Sequence, residues 1–156
     1  MLYLLDANTL IRANADYYPL DRIPQFWDWL IECGSIGIAK IPNEIADEVT
    51  SGRDEVADWL RGGPAKTALR LSERVDIASV RHVVANGYAP DLDASEMQKI
   101  GKDPFLIAYA IGSTNRTVVT KELSKPSKKR ANRKVPDVCD ACGVAWINDF
   151  GFYRAA

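Results

Sequence analysis

Leu2 to Leu5 is a continuous apolar run closed by Asp6, the pattern of a buried strand, and a helix is expected to start near Asn8 or Thr9. From Pro24 to Cys33 the positions of Phe26, Trp27, Trp29, Leu30 and Ile31 predict an amphipathic helix, with Gly34 as its stop. Ile36 to Ile41 is a β-branched run and predicts a second buried strand. Pro42 to Ser51 reads as a helix opened by proline and ended by Gly52. The stretch from Arg53 to Asn86 is largely helical, broken at Gly62, Gly63 and Pro64, and with the residues up to about 100 it reads as a helical cap. Between Lys102 and Ser113 the apolar residues run almost all round the helix, which marks an element buried against a sheet. Arg116 to Thr120 predicts a third strand, Pro136 to Cys142 a short helix, and Val144 to Ile147 a fourth strand.

Strands and helices that alternate, with the strands apolar throughout rather than on every second residue, predict an α/β protein. The expected architecture is a three-layer α/β/α sandwich around a mainly parallel sheet of four or five strands. A length of 156 residues suits a single domain with one core. No apolar run is long enough to span a bilayer, and Met1 leads into the first strand without a basic stretch or cleavage site. A cytoplasmic protein with no membrane association is therefore expected. Cys33, Cys139 and Cys142 are too few and too unevenly placed for a disulfide framework. His82 is the single histidine, so a multi-histidine metal site is excluded and metal chemistry must run mainly on carboxylates.

Ligands of parallel α/β sheets gather at the carboxyl ends of the strands. The acids to examine there are Asp6 after the first strand, Glu48 in the helix after the second, Asp103 at the start of the buried helix, and Glu122 just after the third strand. Each also has an ordinary reading. Asp6 could cap the helix that follows it, Asp103 before Pro104 fits an N-cap pair, and Glu48 and Glu122 could be surface charges. Helical geometry places Glu48 about 60° from Ile45, at the border of the buried face, with Glu44 one turn earlier as an alternate ligand. At an effective dielectric near 20, two such carboxylates about 4 Å apart repel by roughly 4 kcal/mol, so a gathered set calls for a cation. Hard oxygen ligands favour Mg²⁺ or Mn²⁺ over Zn²⁺.

The net charge of −1 hides an asymmetry. Lys121, Lys125, Lys128, Lys129, Arg130, Arg133 and Lys134 stand against Glu122 alone, so residues 121–134 carry +6 and the remainder −7. Such a segment is either a solvated loop or a surface that meets a polyanion beside the acidic positions.

The residues then resemble a known family. Leu-Leu-Asp6-Ala-Asn8-Thr-Leu-Ile resembles the opening strand and Asp-x-Asn/Ser motif of PIN domains. Ile41-Pro-x-x-Ile45-x-x-Glu48 is similar to their second acidic segment, Asp103-Pro-Phe-Leu-Ile-Ala to their buried acidic helix, and Val-Val-Thr120-Lys-Glu122 to their Thr-x-Asp motif. The matching segments follow the family's order along essentially the whole chain. The resemblance implies metal-dependent cleavage of RNA, mostly single-stranded, with Asp6, Glu48, Asp103 and Glu122 as the acidic cluster and Asn8 and Thr120 in support. It also extends to toxins of toxin–antitoxin pairs, which would add an antitoxin protein, and a homo-oligomer stays open. Glu122 stands where the family has Asp, and Asp137 in Val135-Pro-Asp137-Val-Cys139 is the alternate fourth acid.

Two other classes compete with this reading. Asp6-Ala-Asn8 also resembles the Asp-x-Asp opening of haloacid dehalogenase-like phosphatases, but Asn8 cannot serve as their second acid. A non-catalytic nucleic-acid-binding or assembly module would rely on the basic segment alone. Cys139-Asp-Ala-Cys142 lacks a second Cys or His pair and reads as core, as does His82 as a structural residue; Trp27, Trp29, Trp59 and Trp146 fit packing better than base stacking.

Overall fold

The computed structural model describes all 156 residues of the chain. Its strands are β1 (Leu2–Leu5), β2 (Ala39–Lys40), β3 (Arg116–Val119) and β4 (Trp146–Ile147). They form one sheet in the order β2-β1-β3-β4, and every pair is parallel. The helices are α1 (Ala7–Arg12), α2 (Pro24–Ser35), α3 (Asn43–Thr50), α4 (Glu55–Arg61), α5 (Gly63–Leu69), α6 (Ile77–His82), α7 (Ala94–Ile100), α8 (Asp103–Ala108), α9 (Val135–Ala141) and α10 (Asp149–Ala155). Together they make the expected three-layer α/β/α sandwich. The two central strands are apolar because both faces are covered: Leu4, Leu5, Val118 and Val119 are fully buried and join one continuous core with Ile41, Ile45, Leu106, Ile107 and Phe152. No helix is long and apolar enough to cross a membrane.

The element boundaries differ from the periodicity reading where tertiary contacts intervene. Gly34 does not stop α2, which continues to Ser35. The glycine sits where α2 crosses α5, and a Cβ there would lie 2.8 Å from the Ala68 carbonyl oxygen. The turn falls instead at Gly37, whose φ of +78° suits glycine. β2 is shorter than its β-branched run, because beyond Lys40 the chain bridges Arg70 through Ile41. α8 ends at Ala108 and unwinds through turns toward Gly112 at φ +72°. Within the cap, α7 opens with a capping box in which Asp93 and Glu96 satisfy each other's backbone N–H groups. That Asp-x-x-Glu signal is present in the sequence, and the C-terminal helix α10 is likewise an addition to the elements expected.

Two segments of π-helix, Ala13–Tyr17 after α1 and Val83–Tyr88 after α6, interrupt otherwise regular turns. The second is pressed against α9 through Gly87, where a Cβ would come within 2.5 Å of a Val138 methyl group. Arg133 donates to the Gly87 carbonyl from the other side.

Candidate active site

In the order β2-β1-β3-β4 the chain leaves β1 toward one side of the sheet and later returns to β3 on the other, so the topological switch lies between β1 and β3. Asp6 follows β1 at that point, and Thr120, Lys121 and Glu122 follow β3. Asp6 is 2% exposed, and the fully buried Thr120 Oγ1 donates to its Oδ2 at 2.8 Å. Asp6 occupies the N-cap position of α1, and its carboxylate accepts its hydrogen bond from Thr120. Burial pushes its pKa up to about 6, and the charges of Glu122 and Glu48 add to the rise against the opposing Thr120 bond.

Asp103 is the first residue of α8, with Lys102 in the N-cap position, so the expected N-cap pairing with Pro104 does not form. No protein hydrogen bond reaches its carboxylate. Burial lifts its pKa to about 8, helped by the charges of Asp6, Glu122 and Glu48 and opposed by Lys134. Glu48 itself projects from α3 to the surface, yet its charge reaches both aspartates.

The alternates fall elsewhere. Glu44 lies beside Tyr109, whose hydroxyl it helps push up to about 12 after the larger effect of burial, and one of its oxygens is buried without a partner. It does not figure among the charges that act on Asp6 or Asp103. Asp137 is buried with both oxygens occupied, one by the Ser124 hydroxyl at 2.6 Å and the other by the Lys125 N–H at 2.8 Å. Its task is to tie down the base of the basic segment. Glu122 accepts the Val135 N–H at 2.8 Å and pairs with Lys134 at 3.2 Å, closing the segment at its other end, while its charge still bears on Asp6 and Asp103. With Glu122 turned this way and Asp6 held by Thr120, no three of the acids close on a single point within ligating distance.

The basic segment is a pinned strap rather than a free arm. Arg130, at φ +54°, bonds Asp91 at 2.8 Å and Glu96 at 2.7 Å, and this pairing holds Glu96 well below the usual carboxylate range, at about 2. Arg133 donates to the carbonyls of Gly87 and Asp137. Lys121 pairs with Asp149 at 2.7 Å and lies over the rings of Tyr17 and Phe150. Lys121, Arg130, Arg133 and Lys134 are therefore engaged within the protein, and of the seven cations expected to meet RNA only Lys125, Lys128 and Lys129 are without such a partner.

Between the strap and α7 lies a cleft of about 350 Å³ lined by Tyr88, Lys99, Asp103, Glu122, Lys125 and Lys128 among others. The Tyr88 hydroxyl is buried without a hydrogen-bond partner, a state that costs roughly 1–3 kcal/mol. Burial and the charges of Asp103, Glu122 and Asp6 hold its pKa far above the usual phenol range. Tyr88 and Lys99 carry no motif, and nothing in the sequence pattern marks them. Asn8 is exposed and lines a separate pocket with Arg12, Lys121 and Glu122.

The remaining residues that the sequence singled out, His82 apart, serve packing. Trp27 is buried, donates to the Tyr18 carbonyl at 2.8 Å and meets Trp59 edge to face. Trp29 packs among Phe26, Phe152 and Tyr153, and Trp146 donates to Asp140 at 2.9 Å. Cys139 is fully buried in the core, with its thiol pushed up by burial, and His82 is exposed beside Asn86. No curated protein and no solved structure matches the chain. A family model does, over residues 3–156, so by nearly its whole length the chain belongs to the family described as Domain of unknown function (DUF4411).

Proposed function

We propose that this protein is a metal-dependent endoribonuclease that cleaves phosphodiester bonds of single-stranded RNA, as its resemblance to PIN domains implies. The observation that carries the reading is the pair Asp6 and Asp103. Two partly or wholly buried carboxylates face each other's charge at the switch point of a parallel sheet, and Asp103 has no hydrogen bond to offset its burial. Groups so arranged cost stability when ionised, and clefts are where such perturbed acids serve chemistry.

The donor chemistry, carboxylate oxygens alone, suits a hard divalent cation, which two of the acids would hold since no three converge within ligating distance. Asp6 and Asp103 would hold Mg²⁺ or Mn²⁺ through carboxylate oxygens, with Glu48 and Glu122 completing the negative field, and no histidine or thiolate is at hand to favour Zn²⁺. When bound, such an ion activates water and stabilises charge on a phosphoryl oxygen. The chain's own groups do the rest. Thr120 fixes the orientation of Asp6 through its 2.8 Å bond, and its Oγ1 also accepts the Glu122 N–H at 3.2 Å, so the chain after β3 is held against Asp6. Asn8 stands exposed in the pocket it shares with Glu122, where an amide can bond a nucleotide but cannot transfer a proton, which disfavours the phosphatase reading. A toxin role and an antitoxin partner rest on the resemblance alone.

The test is incubation of purified protein with mixed RNAs, with and without Mg²⁺ or Mn²⁺, beside Asp6→Asn. Cleavage by the parent only with a divalent ion, lost in the folded variant, is expected. Full activity in folded Asp6→Asn, or no cleavage by the parent under any of these conditions, overturns the reading.

A further inference from the structure

We propose that the cleft between α7 and the basic strap is a phosphate-binding subsite for a single-stranded nucleic acid, in which the Tyr88 hydroxyl and the ammonium groups of Lys99, Lys125 and Lys128 take an internal phosphodiester beside the acidic pair. The subsite rests on the nuclease reading for its substrate class, but its evidence is separate.

Tyr88 is 7% exposed, and its hydroxyl is one of three buried side-chain polar atoms that have no partner. The other two, on Glu44 and Tyr153, lie outside this cleft, whereas Tyr88 lines it. A phenylalanine would fill the same core position without an unmet hydroxyl, so the oxygen calls for a partner that the protein does not supply. Asp103 and Glu122 line the same cleft, yet neither is hydrogen-bonded to Tyr88, and Glu122 is taken by Lys134 and the Val135 N–H. A phosphate oxygen can accept from the phenol.

The charges of the cleft select the same ligand. Lys99, Lys125, Lys128, Arg133 and Lys134 line it against Asp103 and Glu122, so its wall carries net positive charge although acids form part of its lining. Arg133 is spent on backbone carbonyls and Lys134 on Glu122. Lys99, Lys125 and Lys128 have no carboxylate partner; Lys99 donates only to the neutral Asn132. Three cations left unpaired around one cleft, in a protein where most other strap cations are paired, fit an anion held there. The cleft also keeps its shape without a ligand, because Arg130 ties the strap to Asp91 and Glu96, and Asp137 ties its base through Ser124 and Lys125. The tyrosine enters from a π-helical segment, a local irregularity frequent at functional sites.

The test is equilibrium binding of a short fluorescent single-stranded oligonucleotide with hydroxyl ends, followed by anisotropy over a range of salt in the presence of a chelator, so that no cleavage intervenes. Tyr88→Phe is expected to weaken binding about tenfold with no loss of thermal stability, as one charge-assisted hydrogen bond is removed. The triple replacement Lys99→Ala, Lys125→Ala and Lys128→Ala should lower the salt slope by about 2, at about 0.7 per contact. Lys66→Ala, exposed on α5 and outside the cleft lining, should change affinity and slope far less. Parent-like binding by both cleft variants, or a melting temperature that drops sharply in Tyr88→Phe because the hydroxyl serves the fold, overturns the subsite. Much tighter binding of the same strand carrying a 5′-phosphate overturns its assignment to an internal phosphodiester. Binding that follows the cleft residues without any divalent-dependent cleavage leaves the subsite standing and refutes the nuclease reading alone.

Discussion

Asp103→Asn removes one negative charge from a place where it is poorly solvated and leaves the shape of the side chain unchanged. The lifted pKa fixes the sign of the effect. The folded protein holds the Asp103 proton more tightly than the unfolded chain does, so stability is lost as pH climbs from the usual 3.8 through about 8 and the full cost is present above that. Each pKa unit is worth about 1.4 kcal/mol, which sets a ceiling of roughly 6 kcal/mol for this one group. The carboxylate is partly open to solvent and shares its repulsion with Asp6, so a gain of about 2 kcal/mol for the variant near pH 9 is the expected size. Near pH 5 the folded parent already carries the proton and the two proteins should differ by much less. Urea unfolding of both at each pH, with a chelator present, measures the difference as a change in midpoint at constant slope. Saturating Mn²⁺ should reverse the ranking, because an ion that binds only the folded parent stabilises it by about 2.7 kcal/mol at a hundred times its dissociation constant. A variant that is less stable than the parent near pH 9, or a difference that does not depend on pH, refutes the claim that Asp103 is held at an energetic cost.

Three further outcomes follow from the contacts. Glu122→Gln should depress divalent-dependent cleavage far more than Asp137→Asn, whereas Asp137→Asn should lower stability by about 1–3 kcal/mol, since its two acceptors anchor Ser124 and Lys125; activity assays and unfolding curves on both variants separate the two roles. Gly34→Ala should destabilise by about 1–3 kcal/mol although alanine is the better helix former, because its Cβ would press on the Ala68 carbonyl; a neutral or raised melting temperature contradicts the close crossing of α2 and α5. Arg130→Ala should return the Glu96 pKa from about 2 toward the usual carboxylate value, a rise that carboxyl chemical shifts followed through acid titration would register, and an unmoved titration would show that the strap is not held there.

The fold and the candidate acids were legible in the sequence for reasons that are local. A strand covered on both faces is apolar on both, so the run Leu2–Leu5 and the Val118–Val119 pair that ends β3 announce a parallel sheet, and the residues that follow such strands lie at its carboxyl edge by construction. Asp6 and Glu122 could be placed on that basis before any contact was known, and Thr120 through the resemblance. Other features depend on what approaches from elsewhere in the chain. Gly34 looks like a helix stop along the sequence, but the carbonyl of Ala68 explains why no side chain is there. Glu122 and Asp137 are two acids of the same region with no local difference to rank them; the tertiary structure gives both a partner in the strap or α9, and only the charge of Glu122 acts on Asp6 and Asp103. The run of cations from Lys121 to Lys134 gives the charge but not its use, because pairing with Asp91, Glu96 and Asp149 joins residues far apart in sequence. Tyr88 had no signal at all: an unmet hydroxyl is a property of its surroundings, and those surroundings exist only once the π-helical turn, α8 and the strap have met.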